Sequence, residues 1–450
     1  MPLAKQSEVT VLRANLRAAC TSSGLGAPHP AVLLSLTAPA DASGKPAPLG
    51  TNVEELSLTT AVGGAQVRAL VSAVLARGFT GARGAPYRPL RRLRFVRAAV
   101  GDEGAAAIAE LLDVGCSEGV NVRVESVELI ACDLPGAGAG VAGEGGWWAS
   151  AGGWMVGVSR GVDSAAQPQS RTSSTQLGSA PPHTPHPHIA LCRSLELGAS
   201  DALRRLSLDL NPSLGDAGAC VLAAALRTAA RLTSLSLRYS SCGPAGARAL
   251  ACALESPLCG LQALDLSGNA LGAAGAAALA RGARGSRTLR QLYLTDNGIG
   301  GGPLLPQSLG LIDSAVRDAV CEGEGALGQP LRAAGGDRGP PAHEASAVHA
   351  AVVEALELLG RALTDASCPL VCLRLDMNGV AAEDARALLP FVAASASAGG
   401  KAIEELLIDE TLPRELFVAL VVTAAAKAAV AAARGGGKAK KGGGVRRAST

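Results

Sequence analysis

The side chains best suited to chemistry in this chain are six histidines and eleven cysteines. Their densest grouping is His183-x-x-His186-x-His188, with Cys192 four residues further on. These are the residue types of a tetrahedral zinc centre, which needs about four N or S ligands. Pro181, Pro182, Pro185 and Pro187 hold the segment extended, so the ligands do not converge unaided and an incidental role is favoured. Cys368-x-x-x-Cys372 has no nearby histidine and lies on the approach to an apolar strand-like run. His343-Glu344 lacks the second histidine of H-E-x-x-H, and no G-x-S-x-G elbow occurs. Gly435-Gly436-Gly437-Lys438 is followed by Ala439, so no phosphate-cradling loop is completed. With most histidines in proline-rich contexts, a buried general base is disfavoured. The expectation is a non-catalytic chain with no metal, no cofactor and no small-molecule substrate.

A repeat is plain in the elements that would have to position any site. Leu203-x-x-Leu206-x-Leu208-x-x-Asn211 recurs from Leu232, Leu261 and Leu289 at offsets of 29, 29 and 28 residues. Further copies start at Val53, Leu90, Val124, Leu370 and Ile403, with a fainter one at Leu34-Ser35-Leu36. Alternation at Leu206 and Leu208 has period two, which places both side chains on one face of a short strand. The closing Asn (Cys132 in one copy) falls where the chain turns, and a buried polar side chain there must bond the backbone groups that the turn leaves unpaired. Ala61, Ala98 and Thr411 occupy that position in degenerate copies. Ala/Leu runs at helical spacing follow, as in Gly215–Leu226 and Gly272–Ala280. One strand–helix unit cannot bury its apolar face alone, whereas a stack of them can.

These units, best matched at 203–297 and 370–389, resemble the leucine-rich-repeat family, in its long ribonuclease-inhibitor-type class. The resemblance spans roughly 50–395 and implies a right-handed α/β solenoid, a horseshoe with a parallel sheet on the concave face and helices on the convex face. It specifies the fold sharply and the function hardly at all.

The regular spacing breaks twice: Val124 to Leu203 is 79 residues and Leu289 to Leu370 is 81. Each gap is one repeat plus an insertion between the strand and the helix of one unit, where a loop can grow without breaking the stack. The resulting organisation is a helical cap with a degenerate repeat (1–50), repeats at 51–135, an insertion at 136–187, repeats at 188–299, an insertion at 300–343, repeats at 344–412, an Ala-rich capping helix (413–433) and a basic tail (434–450). Helices are predicted over 189–197 and 344–359, with a short one near 312–320. The first insertion holds all three tryptophans, Trp147, Trp148 and Trp154.

Composition narrows the function class. Aromatics are only 2% against 48% hydrophobic, so the core must be Leu, Val and Ala. The net charge is +3, and Arg434, Lys438, Lys440, Lys441, Arg446 and Arg447 carry six positive charges; residues 1–433 therefore sum to about −3. That balance argues against specific nucleic-acid binding. The apolar run Leu416–Ala433 is mostly alanine and contains Lys427, so a capping helix is favoured over a membrane span. The first residues lack the apolar stretch of a secretory leader, and the cysteines show no disulfide framework; the reading is a reducing, cytoplasmic setting.

The residues between the strand leucines point outward. The central column reads Ser57, Arg94, Glu128, Ser207, Ser236, Asp265, Tyr293, Arg374 and Leu407. The neighbouring column reads Thr59, Val96, Ile130, Asp209, Arg238, Ser267, Thr295, Asp376 and Asp409. Mixed charge with a tyrosine suits a protein partner better than a phosphate backbone, which demands a continuous positive stripe. The candidate contacts are Asp209, Arg238, Tyr239, Asp265, Tyr293, Arg374 and Asp376. Ser449, in Arg446-Arg447-Ala448-Ser449, is a candidate phosphorylation site. By resemblance, such repeats occur in inhibitors, innate-immune sensors, ciliary and cytoskeletal scaffolds and Ran-type GTPase activators. The sensors' nucleotide-switch domain is missing here. The activators follow their repeats with an acidic region, whereas this tail is basic. A protein-interaction scaffold in a cytoplasmic, cytoskeletal or ciliary assembly is the leading expectation, and a Ran-type GTPase-activating protein the alternative.

Overall fold

The alternating Leu-x-Leu segments form nine short strands: Glu55–Leu58 (β1), Arg92–Val96 (β2), Ser126–Ile130 (β3), Arg205–Ser207 (β4), Ser234–Ser236 (β5), Ala263–Asp265 (β6), Gln291–Tyr293 (β7), Cys372–Arg374 (β8) and Glu405–Leu407 (β9). The structure, a computed structural model, describes residues 7–37, 52–59, 62–76, 84–115, 117, 120–132, 202–300, 342–397 and 400–422. The strands make one parallel sheet in strict chain order, so it is an open stack and not a closed barrel. Both insertions fall between strands that nonetheless pair directly, β3 with β4 and β7 with β8.

Register follows the leucines. Leu56, Leu93, Val127, Leu206, Leu235, Leu264, Leu292, Leu373 and Leu406 are successive partners across the sheet. All nine are buried, facing the helices. The helices are Glu8–Ser22 (α1), Pro30–Ser35 (α2), Gly64–Val74 (α3), Gly101–Gly115 (α4), Gly215–Leu226 (α5), Pro244–Leu254 (α6), Gly272–Gly285 (α7), Ala342–Thr364 (α8), Ala382–Ala385 (α9), Leu389–Ala396 (α10) and Arg414–Leu420 (α11). The helices of successive repeats stack on one another, and α1 packs on α3 as the first layer. Small residues set that spacing: a Cβ on Gly282 would lie 2.6 Å from the Ala251 backbone in the preceding helix. The core is aliphatic, with Tyr87 and Phe95 its largest side chains.

Helix starts are shared between repeats. Gly243 caps α6 with no side chain of its own, and Asp216 in the first turn of α5 supplies the acceptor. Its Oδ1 receives Gly243 N–H at 2.6 Å and Gly246 N–H at 2.8 Å. Asp216→Ala is expected to lower the unfolding free energy by about 1–2 kcal/mol, the range of a lost N-cap, as read by urea denaturation.

Four expectations change. Leu34-Ser35-Leu36 is no strand: Pro30 opens α2 behind the His29 cap, and the segment is helical through Ser35. Proline at the first helical position is pre-organised for helix, which overrides a two-residue alternation. The capping helix is shorter than 413–433: α11 ends at Leu420, and Val422 pairs antiparallel with Leu406 on the last strand. That pairing satisfies part of an edge that would otherwise be open. The helix predicted over 344–359 runs from Ala342 to Thr364. The fourth is the neighbouring column: Val96, Ile130, Ser267, Thr295 and Asp409, grouped with outward-facing residues, are in fact buried. The predicted helices at 189–197 and 312–320, the tryptophans, the His183–His188 group, Cys192, Ser449 and the basic tail lie outside the described residues.

Candidate protein-binding surface

The surface opposite the helices is fixed by what happens at the end of each strand. Asn269 shows the device. Its Oδ1 accepts from Ser240 N (3.1 Å) and Cys242 N (2.9 Å) of the preceding repeat. Its Nδ2 donates to Leu237 O and Leu266 O, both at 2.8 Å. Asn211 and Asn378 repeat the arrangement one interface at a time. Cys132 and Ser240 occupy the same position and donate to preceding carbonyls, Cys132 to Phe95 O and Ser240 to Leu208 O. The last described unit has Thr411 there, and the task passes to Asp409, whose oxygens accept from Asn378 N (2.8 Å) and Val380 N (2.7 Å).

Asp409 carries a pH signature. Burial pushes its carboxyl above the ordinary value, only partly offset by the amides of Val380, Asn378 and Met377. A carboxyl raised in the fold favours the protonated state, so its contribution to stability declines as pH rises from the unfolded value of about 3.9 through the folded one. Asp409→Asn removes that component. The stability difference, variant minus wild type, is expected to shift in favour of the variant as pH rises through this window, as measured by urea denaturation at several pH values.

One residue before the closing position of seven units, the backbone is left-handed: Arg97, Ala131, Leu210, Tyr239, Gly268, Asp296 and Met377 all have φ between +51° and +71°. Six of the seven are not glycine. The conformation is held because each N–H through Asp296 donates to the next repeat, as Leu210 N does to Arg238 O at 2.7 Å. The strand ends thus form a rigid rim.

Within that frame the central column stands as predicted, Ser57 through Leu407 in consecutive register. The candidate residues divide into three groups. Asp209, Arg238 and Asp265 come together over β4–β6: Asp209 Oδ1 accepts from Ser236 Oγ (2.6 Å) and Arg238 N (2.9 Å), and Arg238 Nε lies 3.8 Å from Asp265 Oδ2. Burial raises the Asp209 carboxyl, with Ser236 and the Arg238 amide pulling the other way. Tyr239 sits on the left-handed rim and packs with Val96, Ile130, Ala131 and Leu210 in a small apolar cluster separate from the main core. Its ring occupies the space a side chain at Gly268 would need.

The third group is the most ordered. The Arg374 guanidinium stacks over the Tyr293 ring, 5.1 Å from its centroid. Nε and Nη2 of Arg374 reach Glu405 Oε1 at 3.0 and 2.9 Å. Cys372 Sγ donates to Glu405 Oε2 at 3.3 Å. Burial, then the Glu405 carboxylate, pushes the Cys372 thiol up to about 12, so it remains a donor and not a nucleophile. Tyr293 is likewise pushed up to about 12, by burial and by the thiol. Asp376 stands beside this group and accepts from Thr295 Oγ1 at 2.9 Å.

Glu405 and Cys372 belong to a third outward column, Glu55, Arg92, Ser126, Arg205, Ser234, Ala263, Gln291, Cys372 and Glu405, which the sequence reading passed over. The signal was available. The residue just before the second leucine of each unit is two positions from the central column and must share its face.

Among the described residues no group of His, Cys, Asp or Glu is arranged to hold a metal, all eight cysteines are unpaired, and no helix is long and apolar enough to cross a membrane. A cleft of about 510 Å³ on the opposite side is lined by Ala224, Arg227, Thr228, Ser256 and Leu258, with no carboxylate, thiol or imidazole.

A parallel sheet of Leu-x-Leu strands, each returning through a helix, with an Asn ladder at the strand ends, defines a leucine-rich-repeat solenoid. The family profile described as leucine-rich repeat matches residues 259–280 and 285–302. The chain is also similar to a ribonuclease inhibitor from Sus scrofa, 33% identical over 189 residues, which covers 39% of this chain and 40% of that protein. Over these residues the chain is similar to leucine-rich-repeat proteins of the ribonuclease-inhibitor type. The match spans about 40% of that relative's length.

Proposed function

We propose that this protein is a non-catalytic scaffold that binds another protein on the concave face of its sheet. The observation that carries the reading is the Tyr293–Arg374–Glu405 group. Tyrosine and arginine are the residue types that dominate binding hot spots. Both are already held in place by neighbours, so little side-chain freedom is lost on association. Similarity to a protein whose name is ribonuclease inhibitor supports a binding role without identifying this chain's partner. Mixed charge across β4–β9 favours a protein surface that meets it with both signs. The free thiols of the described residues support a reducing, cytoplasmic setting, in which we place a cytoskeletal or ciliary assembly first.

The test is quantitative affinity capture from cell extract by wild type, Asp265→Arg and Arg374→Glu. Recovery of the wild-type partner is expected to fall at least about tenfold with each reversal. Equal recovery by all three proteins would remove the concave face as the binding site.

A further inference from the structure

A different edge of the sheet carries charge that the concave-face reading does not use. Where the strands begin, Arg88, Arg91, Arg123, Arg204 and Arg231 line successive repeats, with Arg205 beside them on the sheet. Arg88 Nε donates to Val120 O at 3.3 Å, Arg91 Nη1 to Arg123 O at 3.2 Å and Arg204 Nη1 to Arg231 O at 3.4 Å. Each guanidinium is therefore hooked over the next repeat by a backbone carbonyl, which orders it, and at Arg204 that neutral acceptor leaves the charge uncancelled.

Several exposed arginines elsewhere are answered by acids: Arg68 by Glu103, Arg281 by Glu354, Arg284 by Asp365, Arg290 by Glu404 and Arg361 by Glu357. Along this edge from β2 to β5 the described acid is Glu125, 3.8 Å from Arg91 Nε. Arg123, Arg204, Arg205 and Arg231 are all exposed. Glu54 and Glu55 stand at the β1 end, where Glu55 pairs with Arg92 at 3.3 Å.

We infer that this edge, from β2 to β5, is a second docking surface, for an extended Asp/Glu-rich segment of a partner protein. Three strand spacings span about 14 Å, the reach of about four extended residues. Ordered guanidinium forks match carboxylates in bidentate geometry. Nucleic acid is the poorer fit because the edge offers no aromatic ring for bases to stack on. Among the described aromatics, Tyr87 and Phe95 are in the core, Tyr239 and Tyr293 are on the concave side, and Phe391 and Phe417 are on the C-terminal helices α10 and α11.

The experiment uses the full chain and fluorescence anisotropy with two labelled probes, a short glutamate-rich peptide and an oligothymidylate of equal charge. Arg204→Glu/Arg231→Glu is expected to weaken peptide binding at least about tenfold, and the milder Arg204→Gln/Arg231→Gln about threefold. Arg281→Glu/Arg284→Glu, with the same change in net charge on α7, is expected to stay within about twofold of wild type. Arg374→Glu, which tests the concave face, leaves the peptide unaffected, so either reading can fail without the other. Equal weakening by the edge and α7 pairs, no weakening by either edge pair, or tighter binding of the oligonucleotide than of the peptide would overturn the proposal.

Discussion

Asn269→Ala is expected to lower the unfolding free energy by about 3–5 kcal/mol, a large part of the total stability of an ordinary domain. The side chain bonds two N–H groups of one repeat and carbonyls of two repeats, all in a buried setting. Alanine leaves them unpaired, and water cannot reach them. Each such group costs about 1–3 kcal/mol, discounted here for local relaxation. Urea denaturation reads the loss directly. Asn269→Asp gives an internal check: it keeps an acceptor for Ser240 and Cys242 but has no N–H for Leu237 O and Leu266 O. It should be destabilised as well, and increasingly so as pH rises and the buried carboxyl ionises. An Asn269→Ala protein as stable as wild type would mean that the ladder does not hold the repeats together.

The second large effect belongs to the binding surface. Arg374→Ala is expected to weaken the captured partner by about 2 kcal/mol or more, roughly thirtyfold. The substitution removes the cation over Tyr293 and leaves Glu405, part-buried, without its guanidinium. Arg374→Lys should recover little, because an ammonium cannot both stack on the ring and present two N–H groups to one carboxylate oxygen. Titration by surface resonance, with stability measured in parallel, separates lost contact from lost fold.

Much of this architecture was legible in leucine spacing. The starts Val53 through Ile403 correspond to the nine strands, because a period-two apolar alternation recurring at a fixed offset leaves few alternatives. The central outward column was legible for the same reason. Other features depended on information that spacing does not hold. Glu405 and Cys372 were overlooked because the motif consensus treats their position as free, although strand geometry puts it on the same face as the central column. Asp409 was misplaced because the last unit moves its ladder residue two positions upstream of Thr411, a substitution visible only when Asn378 N and Val380 N are seen to need acceptors. The left-handed rim was hidden because only Gly268 of its seven residues advertises positive φ. The pairing of candidate contacts into an Asp209–Arg238–Asp265 group and a Tyr293–Arg374 group reflects cross-strand register, to which a single repeat is blind.

The most direct measurement is hydroxyl-radical footprinting of the protein alone and with the partner it captures. If the concave face is the contact surface, Tyr293 and Leu407 lose reactivity on binding, while Leu258 and Val348, exposed on the helix side, keep theirs. Protection of Leu258 and Val348 with Tyr293 and Leu407 unchanged would contradict the account.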